Sequence, residues 1–180
     1  MRARVMKFVV GCNLEEFKKY YGTLEGLHNF LKEQEVSDAR FGELGAVEES
    51  IIRTNSSHLI VWTEDNEIVG HAIWHPSSTD EHRKGDPRDK EDVELLRRLL
   101  GRKKDFVELH EIWLKEEHRR KGYGRKFFEF FEDFIRKKGY DSIVYYADYP
   151  AALAICRKRG YREAFLEKEK WHAFSLSLTL

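Results

Sequence analysis

Phe106-Val-Glu-Leu-His-Glu-Ile-Trp-Leu114, then Arg119-Arg-Lys-Gly-Tyr-Gly124, then the run from Arg125 to Tyr140, is the stretch whose reading decides the fold. Valine, leucine, isoleucine and tryptophan with interleaved polar residues predict a strand over 106–114. Gly122 and Gly124 let the backbone turn closely and expose consecutive N–H groups. A helix is predicted from about Arg125, because Phe127, Phe130, Phe131, Phe134 and Ile135 recur at helical spacing and form one apolar face, with Gly139 as its stop. The positive end of the helix dipole then coincides with the exposed N–H groups. Arg119, Arg120, Lys121, Arg125 and Lys126 surround that point, so the unit reads as a backbone cradle for a pyrophosphate.

At 180 residues the chain is long enough for one domain with its own core. Lys+Arg and Asp+Glu both number 32, so nothing global argues for nucleic acid or an anionic membrane. No apolar run approaches transmembrane length and no signal-peptide core is evident at the N-terminus. Cys12 and Cys156 are far apart and lack metal spacing, which fits a reducing cytoplasm. The 36% content of charged residues, with two methionines, resembles that of thermophile proteins.

Around the central unit, residues 4–11 predict a first strand. Leu14, Phe17, Tyr20, Tyr21 and Leu24, then Leu27, Phe30 and Leu31, predict helix broken into two segments near Gly22 and Gly26. A second helical stretch is predicted over 43–52. A hairpin follows: strand 58–63, turn 64–67, and strand 68–74 ended by Pro76. Residues 76–105 are a charged insertion, either a solvated loop or a lid over an acceptor. A short helix is expected there over 90–100, where Val93, Leu96, Leu99 and Leu100 share a face. Residues 141–147 predict a strand, Pro150 opens a helix that stops at Gly160, and 161–168 with 171–178 predict a final hairpin.

The chain resembles the GCN5-related N-acetyltransferase (GNAT) superfamily at Arg119-Arg120-Lys121-Gly122-Tyr123-Gly124, which fits that superfamily's Arg/Gln-x-x-Gly-x-Gly/Ala loop, and at the preceding Ile112-Trp113-Leu114. The resemblance implies an α/β fold of order β-αα-ββ-β-α-β-α-ββ, a mixed twisted sheet of six to seven strands with helices on both faces, in a single N-acetyltransferase domain over 1–180. It implies acetyl-CoA as co-substrate, held by Arg119, Arg120, Lys121, Gly122, Tyr123, Gly124 and Arg125, with the pantetheine arm paired to the backbone of Ile112, Trp113 and Leu114 like an added strand. The partner is then an amine acceptor, a small molecule or a protein or peptide amine. The reading leaves room for a homodimer and includes no nucleic acid, membrane or metal.

Acetyl transfer to an amine needs a base for the amine proton, a donor for the developing oxyanion and a proton for the leaving thiolate. Glu108 and His110, two apart on the central strand, project to one face and stand where the family commonly places a base. Glu111 is the third candidate, nominally facing the other way unless a bulge re-aims it. A solvated strand charge and a half-buried structural histidine are the plain alternatives for Glu108 and His110. In the last helix, the family's Asn and Tyr, seven apart, are here Tyr149 and Cys156. Tyr149 stands where the family has a second cofactor contact and Cys156 where it has an acid, while a small buried residue is the alternative for Cys156.

Three other patterns fail. His110-Glu-Ile-Trp-Leu114 lacks the second histidine of a zinc protease, and the glycine loop lacks the Gly-Lys-Ser/Thr ending of a nucleotide P-loop. His71 and His75, four apart on a strand, do not converge as zinc ligands. An acyl-CoA-binding sensor with little turnover competes with the enzyme and is favoured by Tyr149 and Cys156. A nucleic-acid factor finds no basic stripe beyond the loop.

Overall fold

The computed structural model describes residues 5–32, 44–83 and 85–179. In chain order it contains β1 (Lys7–Val10), α1 (Leu14–Lys32), α2 (Ala46–Thr54), β2 (Leu59–Glu64), β3 (Glu67–Ser78), β4 (Glu81–Arg83), β5 (Asp86–Pro87), α3 (Lys90–Leu100), β6 (Asp105–Leu114), α4 (Tyr123–Lys137), β7 (Ser142–Ala147), α5 (Pro150–Lys158), β8 (Arg162–Leu166) and β9 (Trp171–Ser177). A seven-stranded sheet runs β1-β2-β3-β6-β7-β9-β8, and β4 and β5 form a separate ribbon. β6 and β7 are parallel, whereas β1/β2, β2/β3, β7/β9 and β8/β9 are antiparallel. This is the α/β class and element order expected, with β4, β5 and α3 built into the insertion. No helix among the described residues is long and apolar enough to cross a membrane.

The chain divides into two compact units, Met1–Ile73 with Glu111–Arg119, and Trp74–His110 with Arg120–Leu180. In the first, Asn13 Oδ1 accepts from the Glu15 N–H at 2.9 Å and starts α1. The expected break at Gly22 and Gly26 is absent, since α1 passes through both positions. A helical glycine costs about 1 kcal/mol, and the burial of Phe17, Tyr20 and Leu24 against Ile51, Ile52, Leu59 and Ile73 outweighs it. The side chains of Leu27, Phe30 and Leu31, and the expected start of the second helix at Glu43, lie outside the described residues; α2 itself begins at Ala46. Asp65 and Asn66 take φ of 51° and 67°, which closes β2 and β3 with a two-residue turn.

β3 does not end at Pro76 but runs to Ser78. Its ladder with β2 finishes at Leu59↔Ile73, so no bond to β2 is asked of the missing proline N–H.

In the second unit the insertion is folded and packed, not a solvated loop. Asp89 caps α3 through the Glu91 N–H, and Gly101 closes it at φ 67°. Leu95, Leu96 and Leu99 are buried, Leu95 and Leu99 against Leu166 and Ala173, and Leu96 against Phe106 and Val144. α4 starts at Tyr123, earlier than Arg125, because Gly122 at φ 79° already turns the chain into the helix. Phe127, Phe128, Phe131 and Ile135 bury its apolar face. Arg159 donates to both oxygens of Glu132, at 2.6 and 2.5 Å, and the Tyr161 hydroxyl donates to the same carboxylate at 3.2 Å, which fixes α5 to α4. The parallel register of β6 with β7 covers Val107↔Ile143 to Leu109↔Tyr145, although both strands continue further.

Candidate active site

The basic loop leaves β6 through a short 3₁₀ turn at Glu116–His118. Arg119 Nε donates to the Leu114 carbonyl at 2.8 Å, and its guanidinium lies 4.6 Å from the centre of the Trp113 ring. Arg119 therefore ties the loop to the end of β6. Arg120 takes φ 63° and Gly122 φ 79°, so the loop holds a left-handed non-glycine residue two positions before its left-handed glycine. The first α4 bond that returns to the loop is Lys126 N–H to Gly122 C=O. Tyr123, Gly124 and Arg125 lie ahead of it in the first helical turn, where N–H groups have no intrahelical acceptor. No acidic side chain occupies that turn, and Arg120, Lys121, Arg125 and Lys126 are exposed around it. A Cβ on Gly122 would meet nothing within 4 Å, whereas one on Gly124 would stand 3.0 Å from Ile155 Cδ1. These residues fit an anionic diphosphate: free donors, the positive dipole end and cations converge.

In the first unit, Glu111 is the centre of a hydrogen-bonded chain. The Tyr21 hydroxyl donates to Glu111 Oε2 at 3.1 Å, and His71 Nε2 makes a short contact with Oε1. A carboxylate only accepts, so His71 carries its proton on Nε2; Nδ1 then accepts from the Tyr20 hydroxyl at 3.2 Å. Burial, reinforced by the Glu111 charge, raises the Tyr20 phenol well above its ordinary range and keeps it a donor. His71 is 1% exposed while the Glu111 side chain is 25% exposed, so the carboxylate is the open end of the chain. Phe17, Tyr20 and Tyr21 ring the His71 imidazole at centroid distances of 5.1 to 5.5 Å. Gly70 admits the close approach of β6: a Cβ there would stand 2.6 Å from the Trp113 carbonyl oxygen.

Glu108 and His110 lie in the second unit, in different surroundings. Arg88 Nη2 donates to Glu108 Oε2 at 2.8 Å. Oε1 lies 3.0 Å from His82 Nε2, 3.9 Å from His75 Nε2 and 3.9 Å from His110 Nδ1. Burial alone would raise the Glu108 carboxyl, but the His110 and His82 imidazoles and the Arg88 guanidinium outweigh it and hold Glu108 well below the usual carboxylate range. His71 and His75, four apart on β3, would share a face of a regular strand, yet their partners Glu111 and Glu108 are three apart on β6.

Cys156 is fully buried on α5, and burial, with Glu132 and Glu163 nearby, pushes its thiol up to about 12. Tyr149 caps the start of α5 and is 53% exposed. Sequence reading named every residue of the loop but missed His71, Tyr20 and Tyr21 as partners of Glu111, and His75, His82 and Arg88 as partners of Glu108. The last three lie in or beside the charged insertion.

The profile described as the acetyltransferase (GNAT) family matches residues 24–161. Among solved structures, Drosophila melanogaster polyamine N-acetyltransferase is 13% identical with a TM-score of 0.62, the alignment covering 95% of this chain and 100% of that one. A mosquito arylalkylamine N-acetyltransferase, like 5b, is 13% identical at TM-score 0.64, covering 96% and 100%. The NatC complex bound to Gag peptide and CoA contains a chain 12% identical at TM-score 0.58, covering 97% and 98%. At these identities the likeness is one of fold. No curated protein sequence matches the chain.

Proposed function

The chain is an enzyme that belongs to the acetyltransferase (GNAT) family, and from that premise we propose that it transfers the acetyl group of acetyl-CoA to a primary amine, with Glu111 as general base. Both units together make one N-acetyltransferase domain in this proposal. The observation that carries the cofactor assignment is the start of α4, where a left-handed Arg120, a left-handed Gly122 and an unpaired first turn present N–H donors among four exposed cations. Residues 120–125 bind the pyrophosphate there. Arg119 positions the loop through Leu114 and Trp113. The backbone of Ile112, Trp113 and Leu114 orients the pantetheine arm as an added strand, and Tyr149, exposed at the head of α5, offers a second contact.

Acetyl-CoA supplies a thioester, which reacts with a neutral amine. The amine proton passes to a Glu111 oxygen, directly or through one water. Glu111 suits this role better than Glu108, because its side chain is 25% exposed, whereas that of Glu108 is 3% exposed and ion-paired to the buried Arg88. His71, bonded to Glu111 and Tyr20, holds the carboxylate in place. The buried Cys156 thiol is a poor acid, so the departing sulfur takes its proton from water.

Solved neighbours include a polyamine and an arylalkylamine N-acetyltransferase, and the aromatic surroundings of His71 suit a small amine of that kind. Both cysteines are free, as suits a cytoplasmic enzyme.

Replacing Gly124 by valine tests the cofactor assignment. A β-branched side chain there obstructs the close backbone approach and crowds Ile155. Calorimetry should show acetyl-CoA binding weakened more than tenfold, about 1.4 kcal/mol or more, with unchanged circular dichroism. Equal affinity in wild type and variant would count against the loop.

A further inference from the structure

We propose that His75, His82, His110 and Glu108 form a binding site for one divalent transition-metal ion of the zinc class. One ligand atom from each, His75 Nε2, His82 Nε2, His110 Nδ1 and Glu108 Oε1, lies within 4.8 Å of all the others. Zinc–nitrogen bonds of about 2.0–2.1 Å set tetrahedral ligand separations of about 3.3 Å, so side-chain adjustments of about an ångström close the set. All four residues belong to the same compact unit: His75 near the end of β3, His82 in β4, Glu108 and His110 in β6.

The second observation is the orientation of His75. This residue is 4% exposed, and its Nδ1 lies 2.9 Å from the Pro76 carbonyl oxygen. A carbonyl can only accept, so the proton of the neutral ring is on Nδ1 and the Nε2 lone pair is directed into the cluster. Among the described residues no group donates to that buried nitrogen. A backbone carbonyl that fixes the tautomer of a histidine is the outer-shell arrangement that metal-ligating imidazoles use.

The donor set selects the metal class. Three imidazoles with one carboxylate suit zinc and its transition-metal neighbours, whereas magnesium and calcium take oxygen ligands. Arg88 does not compete for the ion's place, because it bonds the other oxygen, Oε2, and leaves Oε1 facing the histidines. Glu108 then bridges a fixed guanidinium and the ion. Binding displaces the proton that His82 Nε2 shares with Oε1. The His82 side chain, 35% exposed, provides the entry path.

Four protein ligands fill a tetrahedral shell and leave no position for water or substrate, so the ion is structural. It fastens the β4–β5 ribbon, through His82, to β3 and β6.

The test uses the full chain, stripped with a chelator and dialysed, titrated with Zn2+ in a calorimeter and with Co2+ by visible absorption. The expected result is one Zn2+ per chain, tetrahedral Co2+ bands that Zn2+ abolishes, and slower amide exchange in the ribbon when metal is bound. His82→Ala and His75→Gln should each weaken Zn2+ at least tenfold. If His75→Gln does not fold, His82→Ala decides alone, because it alters a half-exposed ribbon residue. Absence of saturable Zn2+ binding to wild type, or equal affinity in His82→Ala, would overturn the assignment.

Discussion

Glu111→Gln is expected to lower kcat on the order of 10²–10⁴-fold at saturating acetyl-CoA, the range for losing a positioned general base. Glutamine keeps the shape of the side chain and an oxygen for the Tyr21 hydroxyl, and His71 keeps its contact by moving its proton to Nδ1 and accepting from the amide NH2. The substitution removes the proposed acceptor of the amine proton. The affinity for acetyl-CoA, measured separately by calorimetry, should change little, because the proposed binding donors belong to residues 120–125. Cys156→Ala should leave kcat within a few-fold, since that thiol is fully buried and already pushed up to about 12. A normal kcat in Glu111→Gln, with a collapse in Cys156→Ala, would move the proton chemistry to α5.

The largest expected effect on stability is at Arg88. Its side chain is 1% exposed and donates to Glu108 Oε2 at 2.8 Å, Asp92 Oδ2 at 2.7 Å, the Ser78 carbonyl at 2.8 Å and Ser77 Oγ at 2.7 Å. The Tyr146 hydroxyl completes the set by donating to Asp92 Oδ1 at 2.6 Å. Methionine would match the length and leave Glu108 and Asp92 without their shared cation. Breaking a buried ion pair by removing one partner costs about 3–5 kcal/mol. The urea midpoint of Arg88→Met should fall accordingly, with the slope of the transition unchanged. A loss below about 1 kcal/mol would mean that the network is dispensable.

Local features of the chain were legible because local physics decides them. The glycine loop, the amphipathic spacing of α4, the Val93-to-Leu100 face that became α3 and the helix opened by Pro150 each depend on neighbours in sequence. Gly22 and Pro76 misled for the converse reason. The packing of Phe17, Tyr20 and Leu24 overrides glycine's preference, and the end of the β2/β3 ladder at Leu59↔Ile73 frees Pro76 from a ladder bond. The order of the base candidates could not be read locally either. Glu108 and Glu111 are alike in sequence, and only pairing with residues 20 to 90 positions away separates them: Arg88 for one, His71 and Tyr21 for the other. The four-ligand cluster joins residues from β3, β4 and β6 with no regular spacing, so no motif announces it.

The most direct test is the release of free CoA thiol from acetyl-CoA, measured against a panel of primary amines that includes polyamines, arylalkylamines and a peptide N-terminus. Wild type should release CoA in proportion to an acetylated amine for at least one acceptor class, and Glu111→Gln should release it at least a hundredfold more slowly, in line with the loss of a general base. Tight acetyl-CoA binding without amine-dependent CoA release across the panel, or turnover that Glu111→Gln leaves intact, would contradict acetyl transfer by this carboxylate.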